Sequence, residues 1–549
     1  MSRLTSIIGV LAGALTAALP VCAAPADTLE VTVTPAGGRY FAGEQLTRTV
    51  TCTGAQGKAV CRWATALFGD QVIEDGSVEL TPVDGVARGE LVTTLPEVTQ
   101  RLTLTLAVRI SVGDEAPVDR EFHESIFPPE PVTLDAETRR RLNVGLLDPS
   151  GETARVLTRM KVPFARLSSS LGLQTFSGNL IILGEGRTLA QAPASLLIAD
   201  ERARQGLTVI VLAQETWPRG RFRPPWLPAP VAGTRNRGAE VLSTQEELTR
   251  GLLTGDLSNW RVPTAPGREG TWESATWGAL ALPRCSNVCN HLSAADGLAS
   301  ASSLFGYRAG EGQVLVTTLP IVSAYDSEPA ARTVMRNLLL LAACPRPEWK
   351  QTAVWGDPEG AVLRWLADRG LEAPVNRLGL ADADVVVIDG LVPLATVFPK
   401  DGEEPARGLE RFLRRGGTAL ILGMTQETLA DYRSLLPADL SLKRMRLGEF
   451  TMKREEPLTW GVPQHALRTL RATLGALDLP EFQPGPKAEA VTDPPMVTRS
   501  AVGEGALIVA QLPFWEVKAE NGGPYVLAQM LTNLRVRLAE PGERRQAAK

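Results

Sequence analysis

The tripeptide Gln-Glu-Thr twice ends an apolar run, in "LTVIVLAQETWP" (207–218) and in "GTALILGMTQETLA" (417–430). It places Gln214 and Glu215, and again Gln426 and Glu427, where the chain leaves a buried strand. Carboxyl groups at the carboxyl ends of parallel strands lie where open α/β sheets bind ligands. Two of them in one cleft, within about 10 Å, can hydrolyse a glycoside, one as acid and one as nucleophile or base. The same side chains can instead hold a loop by bonding backbone amides. The second role is expected, because the two glutamates lie in different parts of the chain. Asp148 and Asp357 are a further pair of strand-end carboxylates, each opening an Asp-Pro-x-Gly sequence. Proline fixes φ and favours the start of a helix, so turn chemistry is expected of both.

Other reactive side chains are few. There are three histidines and six cysteines. Cys52 and Cys61 flank a glycine-containing turn in "VTCTGAQGKAVCRW", and a disulfide across that hairpin is expected. Cys285 and Cys289 in "RCSNVCNH" could bridge a loop, stay as thiols, or join His291 on a metal. No fourth ligand is visible, so no metal site is expected. Cys344 closes the apolar run "LLLLAAC" and reads as a buried thiol. The triplets Gly310-Glu311-Gly312 and Gly503-Glu504-Gly505 lead into a strand, so they read as hairpin turns and not as phosphate loops. No motif implies a cofactor. Trp217, Trp226 and Trp260, with Trp272 and Trp277, crowd a Pro- and Arg-rich stretch. Their rings could stack on a glycan or pack the loops down.

A chain of 549 residues is too long for one core and predicts several domains. Its net charge of −4 supplies no basic face for nucleic acid. The start, "MSRLTSIIGVLAGALTAALPVCAAPADTLE", reads as a secretory signal peptide over residues 1–26, cleaved after Ala23 or Ala26. Acylation of Cys22 is disfavoured, because the bulky Val21 precedes it. No other segment is long and apolar enough to span a bilayer. The mature protein is therefore expected outside the cytoplasm, in the periplasm or beyond the cell.

Elements must position these residues. Over 27–130, "LEVTVTP", "QLTRTVTCT" and "RLTLTLAVRISV" alternate in the manner of half-buried strands and predict an immunoglobulin-like sandwich. "FPPEP" breaks the pattern and leads into a linker, 131–136. From 137 to 347, continuous apolar strands alternate with amphipathic helices, which predicts a mainly parallel sheet covered on both faces. The grammar restarts over 351–540, leaving a polar tail at 541–549. "GLLDPSGETARVL" is answered by "VWGDPEGAVLRWL", "LIILGEG" by "VVVIDG", and "GEGQVLVTTLP" by "GEGALIVAQLP". Landmarks repeated in the same order predict an internal duplication.

Those residues carry a resemblance. Each half resembles a class I glutamine-amidotransferase-like, flavodoxin-like α/β domain, of the kind attached to exported bacterial proteins similar to family 2 glycoside hydrolases. The carrying segments are "GLTVIVLAQETWP", "GLLTGDLSNWR", "LPRCSNVCN" and "GYRAGEGQVLVTTLPIVSAYDSEPAARTVMRNLLLLA" in the first half, and "EEPLTWGVPQHALR" and "VGEGALIVAQLP" in the second. The sandwich with "FPPEP" resembles the module that precedes such domains. Two departures matter. No residues remain for a catalytic barrel of about 250 residues. The amidotransferase cysteine is also missing, since Ala213-Gln214-Glu215 and Met424-Thr425-Gln426-Glu427 occupy the strand ends. The resemblance implies an exported, non-catalytic accessory protein of carbohydrate handling, which binds a polysaccharide or partners a glycoside hydrolase. The alternatives are an extracytoplasmic protein-interaction scaffold and a glycan hydrolase using the strand-end carboxylates.

Overall fold

A computed structural model describes residues 30–538 except 36–37, 55–56, 68–70, 114–115, 130–133, 225, 228–238, 242–247, 259, 264–270, 274–279, 282–287, 295–300, 345–347, 372–374, 376–379, 398–404, 437–440, 454–455, 463, 475–477, 484–487 and 518–522. The expected signal peptide, Cys22, Cys285, Trp277 and the expected tail lie outside the described residues. The chain divides into two compact units, residues 1–133 with 325–333, and residues 134–324 with 334–549. Both α/β halves belong to the second unit, apart from residues 325–333.

The first unit is built from β1 (Glu30–Thr34), β2 (Gly38–Phe41), β3 (Gln45–Thr53), β4 (Ala59–Leu67), β5 (Gln71–Val83), β6 (Val86–Thr94), β7 (Leu102–Val112) and β8 (Val118–Phe127). They run in the order β1-β3-β6-β5-β4-β7-β8-β2, antiparallel except where β2 joins β8. Alternation in β3 sends Leu46, Val50 and Cys52 inward, where they meet Leu91, Leu104, Leu106 and Ile110. Arg48 stands in the same inward phase and is fully buried, as is its ion-pair partner Glu124. Its Nη1 donates to the Tyr40 hydroxyl. Burial pushes the Glu124 carboxyl up, and Arg48 opposes that shift.

The expected Cys52–Cys61 hairpin is not formed. β3 pairs with β1 and β6, whereas β4 pairs with β5 and β7, and both cysteines are free thiols in the core. Desolvation, and behind it the neighbouring Cys52, push the Cys61 thiol up to about 11. Residues 325–333 belong to this unit. Arg39 Nε donates to Glu328 Oε2 at 3.0 Å, and Arg332 Nη1 to the Pro129 carbonyl at 2.8 Å.

The second unit holds two mixed sheets. The first contains β9 (Val144–Leu147), β10 (Phe164–Arg166), β11 (Leu180–Leu183), β12 (Thr208–Val211) and β13 (Ala239–Val241). A ribbon of β14 (Arg261–Pro263) and β15 (Thr271–Glu273) is separate, and β16 (Leu280–Ala281), β17 (Val288–Ala294), β18 (Ala301–Ala309) and β19 (Gly312–Thr317) complete the sheet. Its order is β10-β9-β11-β12-β19-β18-β17-β13, parallel from β10 to β19 and antiparallel beyond. The second half has β20 (Thr352–Trp355), β21 (Val385–Asp389), β22 (Thr418–Leu422), β23 (Ser441–Arg446), β24 (Thr451–Met452), β25 (Asp478–Gln483), β26 (Glu489–Ala490), β27 (Thr492–Asp493), β28 (Val497–Val502) and β29 (Gly505–Ala510). Its main sheet runs β20-β21-β22-β29-β28-β26, parallel through β29.

Each parallel strand of the second sheet feeds two cores. Val385, Val387, Leu420, Leu422 and Ile508 face helices Ala361–Asp368, Gln464–Leu474 and Gly523–Asn533. Val386, Ile388, Ala419, Ile421 and Leu507 face helix Pro405–Arg414 and the turn carrying Leu429 and Tyr432. Burial on both faces is why these strands read as unbroken apolar runs.

Candidate functional site

The carboxyl edge of the first sheet gathers the polar residues that the sequence singles out. Asp148 follows β9. Its Oδ2 accepts from Ala154 N at 2.9 Å and its Oδ1 from Ser150 Oγ at 2.7 Å, so it holds the start of helix Glu152–Arg159. Gln214 follows β12 and is buried. Its Oε1 accepts from Leu189 N at 2.9 Å, and its Nε2 donates to the carbonyls of Gly184 (2.7 Å) and Leu212 (2.8 Å). Glu215 pairs with Arg187 at 2.9 Å.

The centre of this edge is a residue that the motif search passed over, Glu185, which follows β11 and is 4% exposed. Its Oε2 accepts from Val322 N at 2.7 Å, and its Oε1 from Ser323 N at 2.8 Å and Ser323 Oγ at 2.6 Å. One carboxylate thus pins the loop after β19 to the sheet. Desolvation raises its pKa to about 7. The three hydrogen bonds pull the other way, and the charge of Asp148 adds a smaller upward push. Its only signal in the sequence is a single acid directly after "LIILG".

The second half arranges its edge differently. Asp357 Oδ1 accepts from Glu359 N at 3.0 Å, as a turn residue does. Asp389 ends β21, its Oδ1 accepts from Leu391 N at 3.1 Å, and burial raises its pKa. Gln426 and Glu427 are exposed, and neither side chain makes a hydrogen bond or ion pair among the described residues. The two Gln-Glu-Thr sequences are not equivalent, contrary to expectation. Thr208 opens β12 two residues after Gly206 (φ 109°), and Thr418 opens β22 two residues after Gly416 (φ 100°). Carried forward in that register, Gln214 corresponds to Met424, whose N–H donates to Gln511 Oε1 at 3.0 Å. Glu215 follows β12 of the first sheet and Glu427 follows β22 of the second.

What the halves do share is a frame. Asn337 Nδ2 donates to the carbonyls of Leu248 and Arg250, both at 3.0 Å. Asn533 Nδ2 donates to those of Leu458 and Trp460, both at 2.9 Å. Each asparagine sits on the last helix of its half and clamps a Leu-Thr-x-Gly turn whose glycine has positive φ, Gly251 (80°) and Gly461 (77°). The Gly-Glu-Gly triplets form the β18–β19 and β28–β29 turns, as expected, and lie tight against a helix end. A Cβ on Gly310 would stand 2.6 Å from the Arg204 carbonyl oxygen, and one on Gly503 2.9 Å from that of Arg414.

The tryptophans named as candidate glycan platforms pack inward. Trp226 is 2% exposed, stacks on Tyr307 with ring centroids 5.0 Å apart, and donates from Nε1 to Asp200 at 2.8 Å. Trp260 is fully buried and donates to the Asp256 carbonyl at 2.8 Å. Neither offers a ring face to a sugar, because loops that need an apolar anchor have drawn both into the core. Trp217 is half-buried against the same cluster. His291 is buried beneath Gly306, and the side chains of Cys289 and Trp272 lie outside the described residues. No group of three metal-ligating side chains occurs among the described residues. Cys344, expected in the core, is exposed at the end of helix Pro329–Ala343. No described helix is long and apolar enough to cross a membrane.

No family model matches the sequence, and no curated protein matches it. Among solved structures, the exo-β-1,4-mannosidase Op5Man5 from Opitutaceae bacterium strain TAV5 is similar at 12% identity and a TM-score of 0.20, over 41% of this chain and 40% of that one. The periplasmic chaperone SfaE is similar at 10% identity and 0.16, over 21% and 66%. The BIgI domain of beta protein from S. agalactiae is similar at 18% identity and 0.13, over 19% and 100%. The chain thus spans two fifths of the mannosidase's length. Likenesses of this size assign no activity.

Proposed function

We propose that this chain is an exported, non-catalytic scaffold that works by binding a protein partner, built from an immunoglobulin-like sandwich and two flavodoxin-like α/β copies of one ancestral domain. The observation that carries this reading is the engagement of the first carboxyl edge. Asp148, Glu185, Gln214 and Glu215 are each held by their own backbone or by a neighbouring side chain. A general acid, base or nucleophile must exchange a proton or a bond with a substrate. Groups that already hold three loops in place are poorly suited to that. A partner glycoside hydrolase fits the resemblance drawn from the sequence, whereas direct glycan binding has lost the Trp226 and Trp260 faces.

The test uses residues 27–549 in affinity gel electrophoresis against soluble polysaccharides, alongside chromogenic aryl glycosides. Unchanged mobility and no turnover are expected. Retardation that disappears in Trp217→Ala would return the glycan reading to first place. Turnover abolished by Glu215→Gln or Glu427→Gln would overturn the scaffold.

A further inference from the structure

The second half carries a cavity of about 280 Å³ away from the carboxyl edge, at the amino ends of β22 and β29. Its charged lining is Lys350, Arg499, Arg535 and Glu456, three cations against one carboxylate, while Thr418 and Asn533 are neutral polar and Leu458 and Ile508 apolar. Arg499 Nη1 bonds Glu456 Oε1 at 2.8 Å, so that pair is internally neutral. The side chains of Lys350 and Arg535 make no hydrogen bond or ion pair among the described residues, and neither does the Thr418 hydroxyl on the same wall. The cavity therefore combines unneutralised positive charge, a free hydroxyl and an apolar surface. Ligand sites likewise bring a few convergent polar groups beside apolar surface.

The backbone sets where Arg535 stands on this wall. Val536 N bonds the Leu531 carbonyl and Arg535 N that of Thr532, which makes Arg535 the C′ residue of a Schellman turn closing helix Gly523–Asn533. Its φ is 62°, in a region where that position ordinarily carries glycine. Lys161 (φ 57°) closes helix Glu152–Arg159 with the same turn, so this conformation positions Arg535 without singling it out. The Arg535 carbonyl also accepts from Lys350 N at 3.0 Å, which joins the two residues through their backbones.

We infer that this cavity binds a small amphiphilic anion, its carboxylate or phosphate head between Lys350 and Arg535 and its apolar body against Leu458 and Ile508. The site goes beyond the scaffold reading and does not depend on it.

The probe is anilinonaphthalene sulfonate, a sulfonate on an apolar body, titrated into residues 27–549 by fluorescence. Octanoate, octyl phosphate and octanol then serve as competitors. Saturable binding is expected, displaced by octanoate or octyl phosphate and not by octanol; the stronger of the two anions identifies the head group. Arg535→Gly should weaken binding by about tenfold or more, since charge-assisted contacts to an anion are the strong ones. It should not lower the melting temperature, because glycine suits the left-handed backbone. If that variant does unfold, Lys350→Gln decides, as an independent cation on the same wall. Absent binding, equal displacement by octanol, or affinity unchanged in both variants would overturn the site.

Discussion

At the carboxyl edge of its sheet the first α/β half is closed by its own side chains, whereas the second leaves its tripeptide in solvent. Gln214 makes three buried hydrogen bonds there and Glu185 three more. Gln426 and Glu427 make none among the described residues. The place of Gln214 is taken by Met424, and Gln511 reaches over to bond its N–H. Away from this edge the halves agree closely, in strand order, in the asparagine clamp and in the glycine turn packed on a helix end. Repetition therefore lies in what holds the sheet and helices together, and divergence lies where ligands of such sheets are bound. A shared catalytic site should have preserved the reverse pattern.

The largest expected effect is a pH dependence carried by Glu185 in the first half. Glu185 has a folded pKa near 7, against 4.5 as its ordinary value. A raised carboxyl pKa means that the folded state holds the proton more tightly. The stability this confers is complete below the unfolded value and is lost as pH rises through about 7. Over that window the wild type should lose about 3 kcal/mol to this group. Urea denaturation of Glu185→Gln across the same range should show that slope flattened, whatever its absolute stability. An undiminished slope would remove Glu185 from the account.

Close behind stands a pair of substitutions that should act alike. A Cβ on Gly312 would lie 2.0 Å from the Ala203 carbonyl oxygen, and one on Gly505 2.2 Å from that of Gly417. Gly312→Ala and Gly505→Ala should each cost about 3 kcal/mol in chemical denaturation. A large inequality between them would break the equivalence of the two turns. Asn337→Ala and Asn533→Ala make a gentler version of that comparison, each leaving two carbonyls without their donor, at about 2 kcal/mol. The smallest effect belongs to the second half alone. The buried Tyr432 hydroxyl has no hydrogen-bond partner among the described residues. Tyr432→Phe should therefore raise stability by up to about 1 kcal/mol.

Much of the frame was legible in the sequence, because its causes are local. Continuous apolar runs announced strands buried on both faces, and Gly-Glu-Gly before a strand announced its turn. The Asp-Pro-x-Gly sequences indicated turn chemistry at Asp148 and Asp357. Long-range pairing was not legible. Cys52 and Cys61 look like neighbours across a hairpin, yet their strands join different partners. Arg48 stood in the inward phase of β3 without showing that Glu124, 76 residues away, would neutralise it. The Gln-Glu-Thr repeat misled because identical letters invite superposition, while the strand register sets them two positions apart. Glu185 escaped notice because a lone acid after a strand has no pattern, and its meaning comes from amides 137 and 138 residues further on.

The claim that only the first tripeptide is a structural clasp is tested most directly by denaturing Gln214→Ala and Gln426→Ala side by side in urea. The account predicts a loss of about 2–3 kcal/mol for Gln214→Ala, from three buried hydrogen bonds, and less than about 0.5 kcal/mol for Gln426→Ala. Equal losses in the two variants would contradict it, and would mean that the repeated tripeptides do the same work in both halves after all.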